Sequence, residues 1–338
     1  MAVNHEAWLG QIQEDPIDPD LPICDPHHHL WDRPDSYYML REFLRDVSGG
    51  HNIRRTVYIE CAAMYRQDGP APMRAVGETE FAQGLAARSA SGQYGPAAVA
   101  AGIVSHADLT LGAAVAPLLE AHARAGHNRF RGIRHQNAWD ARSEIPDART
   151  KPHRKLFADP RFREGFACLR DFNLTFDAWM YSPQLMDLVS LANAFPQTSI
   201  ILDHAGTPPG TGPYAGRREE IFVQWKDSIA AVAACPNVVV KLGGLAMPIC
   251  GFGWETHAAP PTSQQLADAT AHYYLHCIEQ FGADRCMFES NFPVDKMSCS
   301  YTVLWNSFKR ITQDFSPCDR AALFHDNAAQ TYRLIDQS

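Results

Sequence analysis

Residues 24–32 read CDPHHHLWD, three consecutive histidines between an aspartate and a tryptophan. Neutral imidazole nitrogens bind divalent metals or take up protons, and imidazolium stabilises an oxyanion. In an extended strand alternate side chains share a face. Asp25, His27 and His29 then point one way, and Pro26, His28 and Leu30 the other. Such an HxH pair can hold one metal ion or bind one oxyanion. An isolated HxH is more often just a polar strand end, so the reading depends on what converges with it.

Other candidates sit in similar settings. LDHAG supplies His204, and ESNFPVD supplies Asn291, with Asp295 four residues on. GIRHQ turns Arg134 or His135 inward, Glu60 ends another apolar run, and Lys241 interrupts a valine-rich one. Arg66, Arg134 and Lys241 suit a substrate carboxylate, arginine through its bidentate fork. Trp31, Tyr37, Trp139, Trp179, Tyr181, Phe252 and Trp254 can wall a ring-shaped pocket, although any one alone is more often ordinary packing. No GxSxG elbow supports a serine nucleophile, and Cys61 has no activating neighbour in sequence.

The elements that must position these residues alternate. Eight strand-like runs cover 23–30, 54–63, 97–105, 129–136, 173–180, 199–206, 237–245 and 285–293, with amphipathic stretches between most of them. In 217–232, Ile221, Trp225, Ile229 and Val232 recur at helical spacing. Strands alternating with helices imply parallel pairing, and eight such units close into a (β/α)8 TIM barrel. An open doubly wound sheet would want a glycine-rich phosphate turn after the first strand, which here ends in HHHLWD. Long connections at 32–53, 137–158, 206–216 and 246–264 all fall on the C-terminal side of strands, where barrel enzymes build their pockets. The expected organisation is an N-terminal extension, 1–22, and a single barrel domain, 23–338.

Composition narrows the partners. The 338 residues carry a formal net charge of −8 with no run of Lys/Arg, so the source of non-specific nucleic-acid binding is missing. No apolar stretch is long enough to span a bilayer. The first twenty residues have neither a basic nor an apolar leader region, and nine cysteines are scattered with no CxxC pair. A cytoplasmic protein with reduced thiols, acting on a small molecule and compatible with homo-oligomerisation, is the expectation.

DPHHHLWD, LDHAG, RCMFESNFPVDK and HDNAAQTYRL together resemble the amidohydrolase superfamily. Within it the chain is similar to the branch of amidohydrolase-related TIM-barrel hydrolases containing sugar-acid lactonases and 2-pyrone-4,6-dicarboxylate lactonase, from about residue 23 to 335. The resemblance implies that His27, His29 and His204 line a metal or reaction site. It also implies a strand-8 aspartate as base or ligand, where this sequence has Asn291. An amide cannot take a proton from water near neutral pH, so Asp295, His204 and Glu60 are the substitutes. Two-metal members carry a bridging lysine or carboxylate on strand 4. RFRGIRHQ has neither, so at most one divalent ion, zinc, is expected on His27, His29 and His204. The branch also includes members that work without metal.

The implied activity is hydrolysis of a lactone or related cyclic ester of a carboxylate-bearing molecule. His27, His29, His204, Asn291 and Asp295 would be catalytic, and Arg66, Arg134, Tyr181 and Lys241 would bind substrate. The alternatives are a metal-dependent decarboxylase or hydratase of an aromatic-derived acid, and a barrel that binds a ligand without hydrolysis.

Overall fold

Each of the eight apolar runs becomes a strand of one sheet in a computed structural model, which describes residues 3–334. The strands are β1 (Pro22–His28), β2 (Asn52–Ile59), β3 (Ala98–Ser105), β4 (Phe130–Arg134), β5 (Thr175–Ala178), β6 (Ile200–Leu202), β7 (Val238–Leu242) and β8 (Cys286–Phe288). They pair in chain order, all parallel. Beyond the last regular residue of β8 the chain returns to β1. His29 N donates to Phe292 O at 2.7 Å, and Asn291 N donates to His27 O at 2.9 Å. A parallel bridge between His28 and Phe292 completes the ring. This is a (β/α)8 TIM barrel.

Asp25 fixes that closure from inside. Its two carboxylate oxygens accept from Ser290 N (2.9 Å), Ser290 Oγ (2.6 Å) and Tyr301 Oη (3.0 Å). It is fully buried, and burial pushes its pKa up to about 6 against these donors. Its role is structural.

Helices shield the outside of the ring. The predicted stripe lies in the helix Arg218–Ala233, where Ile221, Trp225, Ile229 and Val232 are all buried. The helix Ser263–Phe281 starts from a capping box: Thr262 Oγ1 accepts from Gln265 N, and Gln265 Oε1 accepts from Thr262 N. The expected loop 32–53 is more ordered than its sequence suggests. It holds a short hairpin, Trp31–Arg33 with Ser36–Tyr38, and the helix Leu40–Val47.

The barrel interior is layered. At the N-terminal end Cys24, Val57, Ile59, Val104, Ile201, Met287 and Tyr332 form an apolar plug. Above it lie Asp177, Lys241, Asp203 and Glu289, all fully buried, and above them the histidines. Several strands stop earlier than their apolar runs. β6 ends at Leu202, and His204, Ala205, Gly206 and Thr207 then take positive φ values of 57°, 48°, 73° and 41°.

Candidate active site

The left-handed turn after β6 aims His204. An L-residue there costs about 1–2 kcal/mol, so neighbouring contacts must offset it. His204 N donates to Glu289 Oε1 at 3.0 Å, Thr207 N donates to His204 O at 2.8 Å, and Trp225 Nε1 donates to Ala205 O at 2.7 Å. Two glycines after β7 leave the room. A β-carbon on Gly244, itself at φ +70°, would lie 2.5 Å from His204 Cβ and Cγ, and one on Gly243 would strike Glu289.

Each histidine has an oxygen beside Nδ1. His204 Nδ1 reaches Glu289 Oε1 at 2.6 Å, and His29 Nδ1 reaches Ile59 O at 2.8 Å. His27 Nδ1 lies 2.8 Å from Glu289 Oε2 and 3.2 Å from Lys241 Nζ. The carboxylate is nearer than the ammonium, which favours the Nδ1–H tautomer of His27 and leaves its Nε2 as an acceptor. Arg134 Nη1 faces that Nε2 at 3.4 Å, and His29 Nε2 is 3.3 Å away.

Charge sorts the imidazoles. Burial, with Lys241 beside His27 and Arg134 beside His29, holds those two well below the ordinary histidine pKa. Burial works against protonation of His204 too, but Glu289 outweighs it and raises the pKa. Burial would likewise favour neutral Glu289, yet His204 and His27 hold it well below the usual carboxylate range.

A second buried network lies alongside. Arg134 donates through Nε to Glu60 Oε1 at 2.7 Å and through Nη2 to Glu60 O. Gln136 Nε2 donates to the same Glu60 oxygen at 2.7 Å. Lys241 Nζ lies 2.7 Å from Asp177 Oδ2 and 3.0 Å from Asp203 Oδ1. Tyr332 Oη donates to Asp177 Oδ2 at 2.5 Å.

His29 and His204 open onto a cleft of about 260 Å³ at the C-terminal face, with His27 fully buried beneath. Its floor includes His29, Arg134, Gln136, His204 and Asn291. Pro146 and Arg149, from the 137–158 connection, and Met247, Pro248 and Ile249, from the 246–264 connection, form walls with Trp179 and Tyr181.

The profile of the amidohydrolase family matches residues 24–334 of this barrel. The chain belongs to that family. It is 32% identical to protein y4mH of Sinorhizobium fredii (strain NBRC 101917 / NGR234), over 93% of this chain and 99% of that protein. It is 27% identical to an L-fucono-1,5-lactonase of Burkholderia multivorans (strain ATCC 17616 / 249), over 61% of this chain and 64% of the relative. A crystal structure of a Burkholderia multivorans amidohydrolase with bound Zn shares the fold, with a TM-score of 0.72 and 23% identity over 93% of this chain and 99% of that one. The protein is an amidohydrolase-family hydrolase, and no helix among its described residues is long and apolar enough to cross a membrane.

Within this amidohydrolase site, His27, His29, His204, Arg134 and Asn291 come together as the sequence suggests, and Tyr181 joins the wall, its hydroxyl donated to Pro146 O at 2.7 Å. Four expectations need correcting. Arg66 is on the surface, paired with Glu80, because its place after β2 carries it outward, so it does not line the cleft. Lys241 is spent on Asp177 and Asp203 beneath the histidines and does not line it either. Asp295 is fully buried behind Asn291, accepting from its Nδ2 at 2.8 Å, with its pKa pushed up to about 7 by burial. His27, His204 and Glu289 offer donor atoms that all lie within 4.8 Å of one another, a group that could hold a metal ion and that takes in Glu289 where the sequence suggested His29.

Glu289, Asp203 and Gln136 escaped the sequence reading. Strand parity carries the signal for the first two. Ile201 and Met287 belong to the inward apolar plug, and two residues on from each are Asp203 and Glu289.

Proposed function

We propose that this chain opens a lactone of a small carboxylate-bearing acid, of the sugar-acid or aromatic-catabolite type, in the cytoplasm. The observation that carries the reading is His204, anchored through Nδ1 on buried Glu289 and lining a cleft that also holds Arg134 and Arg149. The lactonase name of one relative supports the choice of ester.

With Nδ1 held by Glu289, His204 offers Nε2 as the proton acceptor. Water positioned by His27, His29 and His204 adds to the lactone carbonyl. The ring C–O bond then breaks, and the proton taken by His204 passes to the departing ring oxygen, giving the hydroxy acid. The guanidinium of Arg149 faces the negative charge that develops on the carbonyl oxygen or already stands on a substrate carboxylate. Asn291 orients water or substrate through its amide, and Asp295 acts through Asn291.

The donor set fits one divalent ion. Two imidazoles and a carboxylate, from His27, His204 and Glu289, form a set that catalytic zinc sites use. Asp203 Oδ2 is buried without a hydrogen-bond partner among the described residues, 3.6 Å from Arg134 Nη1. Four buried carboxylates, Glu60, Asp177, Asp203 and Glu289, face two buried side-chain cations, Arg134 and Lys241, before any imidazole is charged. Zinc held there would supply a more acidic bound water and a polarised carbonyl.

Acid release from a panel of aldonolactones, simple lactones and 2-pyrone-4,6-dicarboxylate, with metal-free and zinc-supplemented protein, tests the reading. One equivalent of acid per lactone opened is expected. No acid from any of them, or carbon dioxide from aromatic acids instead, would overturn it.

A further inference from the structure

The end of the barrel opposite the cleft gathers arginines that lie far apart in the sequence. Arg55 of β2, Arg129 just before β4, Arg131 within it and Arg333 near the end of the described chain line a groove of about 710 Å³, with Asn128 and Asn173 beside them. That volume suits a small organic molecule. No Asp or Glu is among the lining residues, although the whole chain has a formal net charge of −8. Arg129, Arg131 and Arg333 take no part in the arginine–carboxylate pairs of the described residues. They donate to neutral oxygens instead. Arg129 Nη1 reaches Gln83 Oε1 at 3.2 Å, Arg131 Nη2 reaches Arg333 O at 3.3 Å, and Arg333 Nη2 reaches Arg131 O at 3.1 Å. A guanidinium carries five N–H donors, so each can still present others. Arg131 Nε is buried with no partner among the described residues.

Like charges gathered in one groove repel, and partial burial sharpens the repulsion. Burial, with Arg333 and Arg129 nearby, pushes Arg131 below the ordinary arginine pKa, and burial pushes Arg333 down as well. The reciprocal bonds to main-chain oxygens tie both side chains to the barrel all the same. The four residues after Leu334 add one acidic side chain, Asp336, against four guanidiniums, so positive charge stays in excess. A multivalent oxyanion relieves that excess, because the planar forks match phosphate and carboxylate oxygens two at a time. Exposed Asn128 and Asn173 can hydrogen-bond the body of such a molecule, and alanine and valine side chains wall its carbon atoms. We propose that this groove binds a small organic anion carrying two or more phosphate or carboxylate groups. The site stands apart from the cleft and does not depend on the reaction there.

Isothermal titration calorimetry of the full chain in about 0.15 M NaCl tests it, with fructose 1,6-bisphosphate and tricarballylate as the organic probes and sulfate as the simple ion. At least one organic probe should bind with one equivalent per chain, about 10-fold or more tighter than sulfate. The tighter of the two tells phosphate from carboxylate ligands. Arg129→Gln and Arg333→Gln should each weaken that binding by about 10-fold or more, with thermal unfolding recorded alongside. Arg149→Gln, in the cleft, and Arg217→Gln, on the surface beside Glu220, should leave it unchanged. Absence of binding by both organic probes, or sulfate bound as tightly as they are, would overturn the inference. So would binding that survives in Arg129→Gln and Arg333→Gln but is lost in Arg149→Gln.

Discussion

Gly244→Ala tests how closely the site depends on the backbone around it. The added β-carbon would sit 2.5 Å from His204 Cβ and Cγ, where carbon atoms in good contact are about 3.5–4.0 Å apart. His204 must therefore retreat by roughly 1 Å, out of its hydrogen bonds to Glu289. The left-handed backbone adds about 1–2 kcal/mol and the overpacking about 1–3 kcal/mol, for a loss of about 2–5 kcal/mol. At about 2.1 cal/mol/K per residue, a chain of this length has an unfolding entropy near 0.7 kcal/mol/K, so Tm should fall by about 3–7 °C. A 1 Å misplacement at a reacting group costs on the order of 10²-fold in rate, and kcat/KM on the best lactone should fall by about that factor. Gly84→Ala is the matched control. It lies in the helix Val76–Ser89 with nothing within 4 Å of its virtual β-carbon, and should raise stability by up to about 1 kcal/mol. Differential scanning calorimetry and steady-state kinetics on both variants decide the matter. Unchanged Tm and turnover in Gly244→Ala would refute the claim that this glycine sets the position of His204.

Asn291→Asp places a second buried carboxyl 2.8 Å from Asp295, so Tm and activity should fall together, and adding Asp295→Asn should recover at least half of the lost Tm; an activity gain in the single variant would show that the position wants a base. Burial lowers the pKa of His51 to about 4 and of His122 to about 3, so the unfolded chain binds more protons than the fold below pH 6.5. Urea unfolding free energy should therefore rise with pH between about 4 and 6.5, and His51→Gln should flatten that slope; a flat wild-type profile contradicts it. Protein purified without added metal should bind at most one equivalent of zinc, with Glu289→Gln losing it, as read by elemental analysis; two tightly bound equivalents would be inconsistent with this donor set. Arg66→Ala should change stability by less than about 1 kcal/mol, because its ion pair with Glu80 is exposed; a larger loss in calorimetry would show that the contact does more.

The barrel was legible because its signals are local. Strand runs such as RRTVYIECAA and NVVVKLGGL carry β-branched residues, and the helix with Ile221 and Trp225 shows its stripe in the sequence alone. His27 and His204 were legible for a related reason: polar groups at inward strand ends have few structural uses. What stayed hidden depends on contacts between distant segments. Glu289 looks like part of a turn until His204 and His27 are seen on either side of it, 85 residues from the first. The amide of Gln136 is likewise held by Glu60, 76 residues away. Arg66 misled because type and proximity to strand 2 were right, while its direction was set by a connection whose path the sequence does not encode locally.

Closure of the ring and assembly of the site use the same few atoms. Ser290 Oγ lies 3.2 Å from His27 O across 263 residues of chain, and Asn291 and Phe292 bond to the backbone of the HxH pair directly. During synthesis the first seven strands can emerge and begin to pair while the first histidines still have no neighbour on one side. Glu289, which orients His204 and flanks His27, arrives with the same short segment that seals the barrel. A nascent chain stalled before residue 289 therefore carries His27, His29 and His204 without Glu289, and under the proposed function activity should appear only once that last strand has left the ribosome.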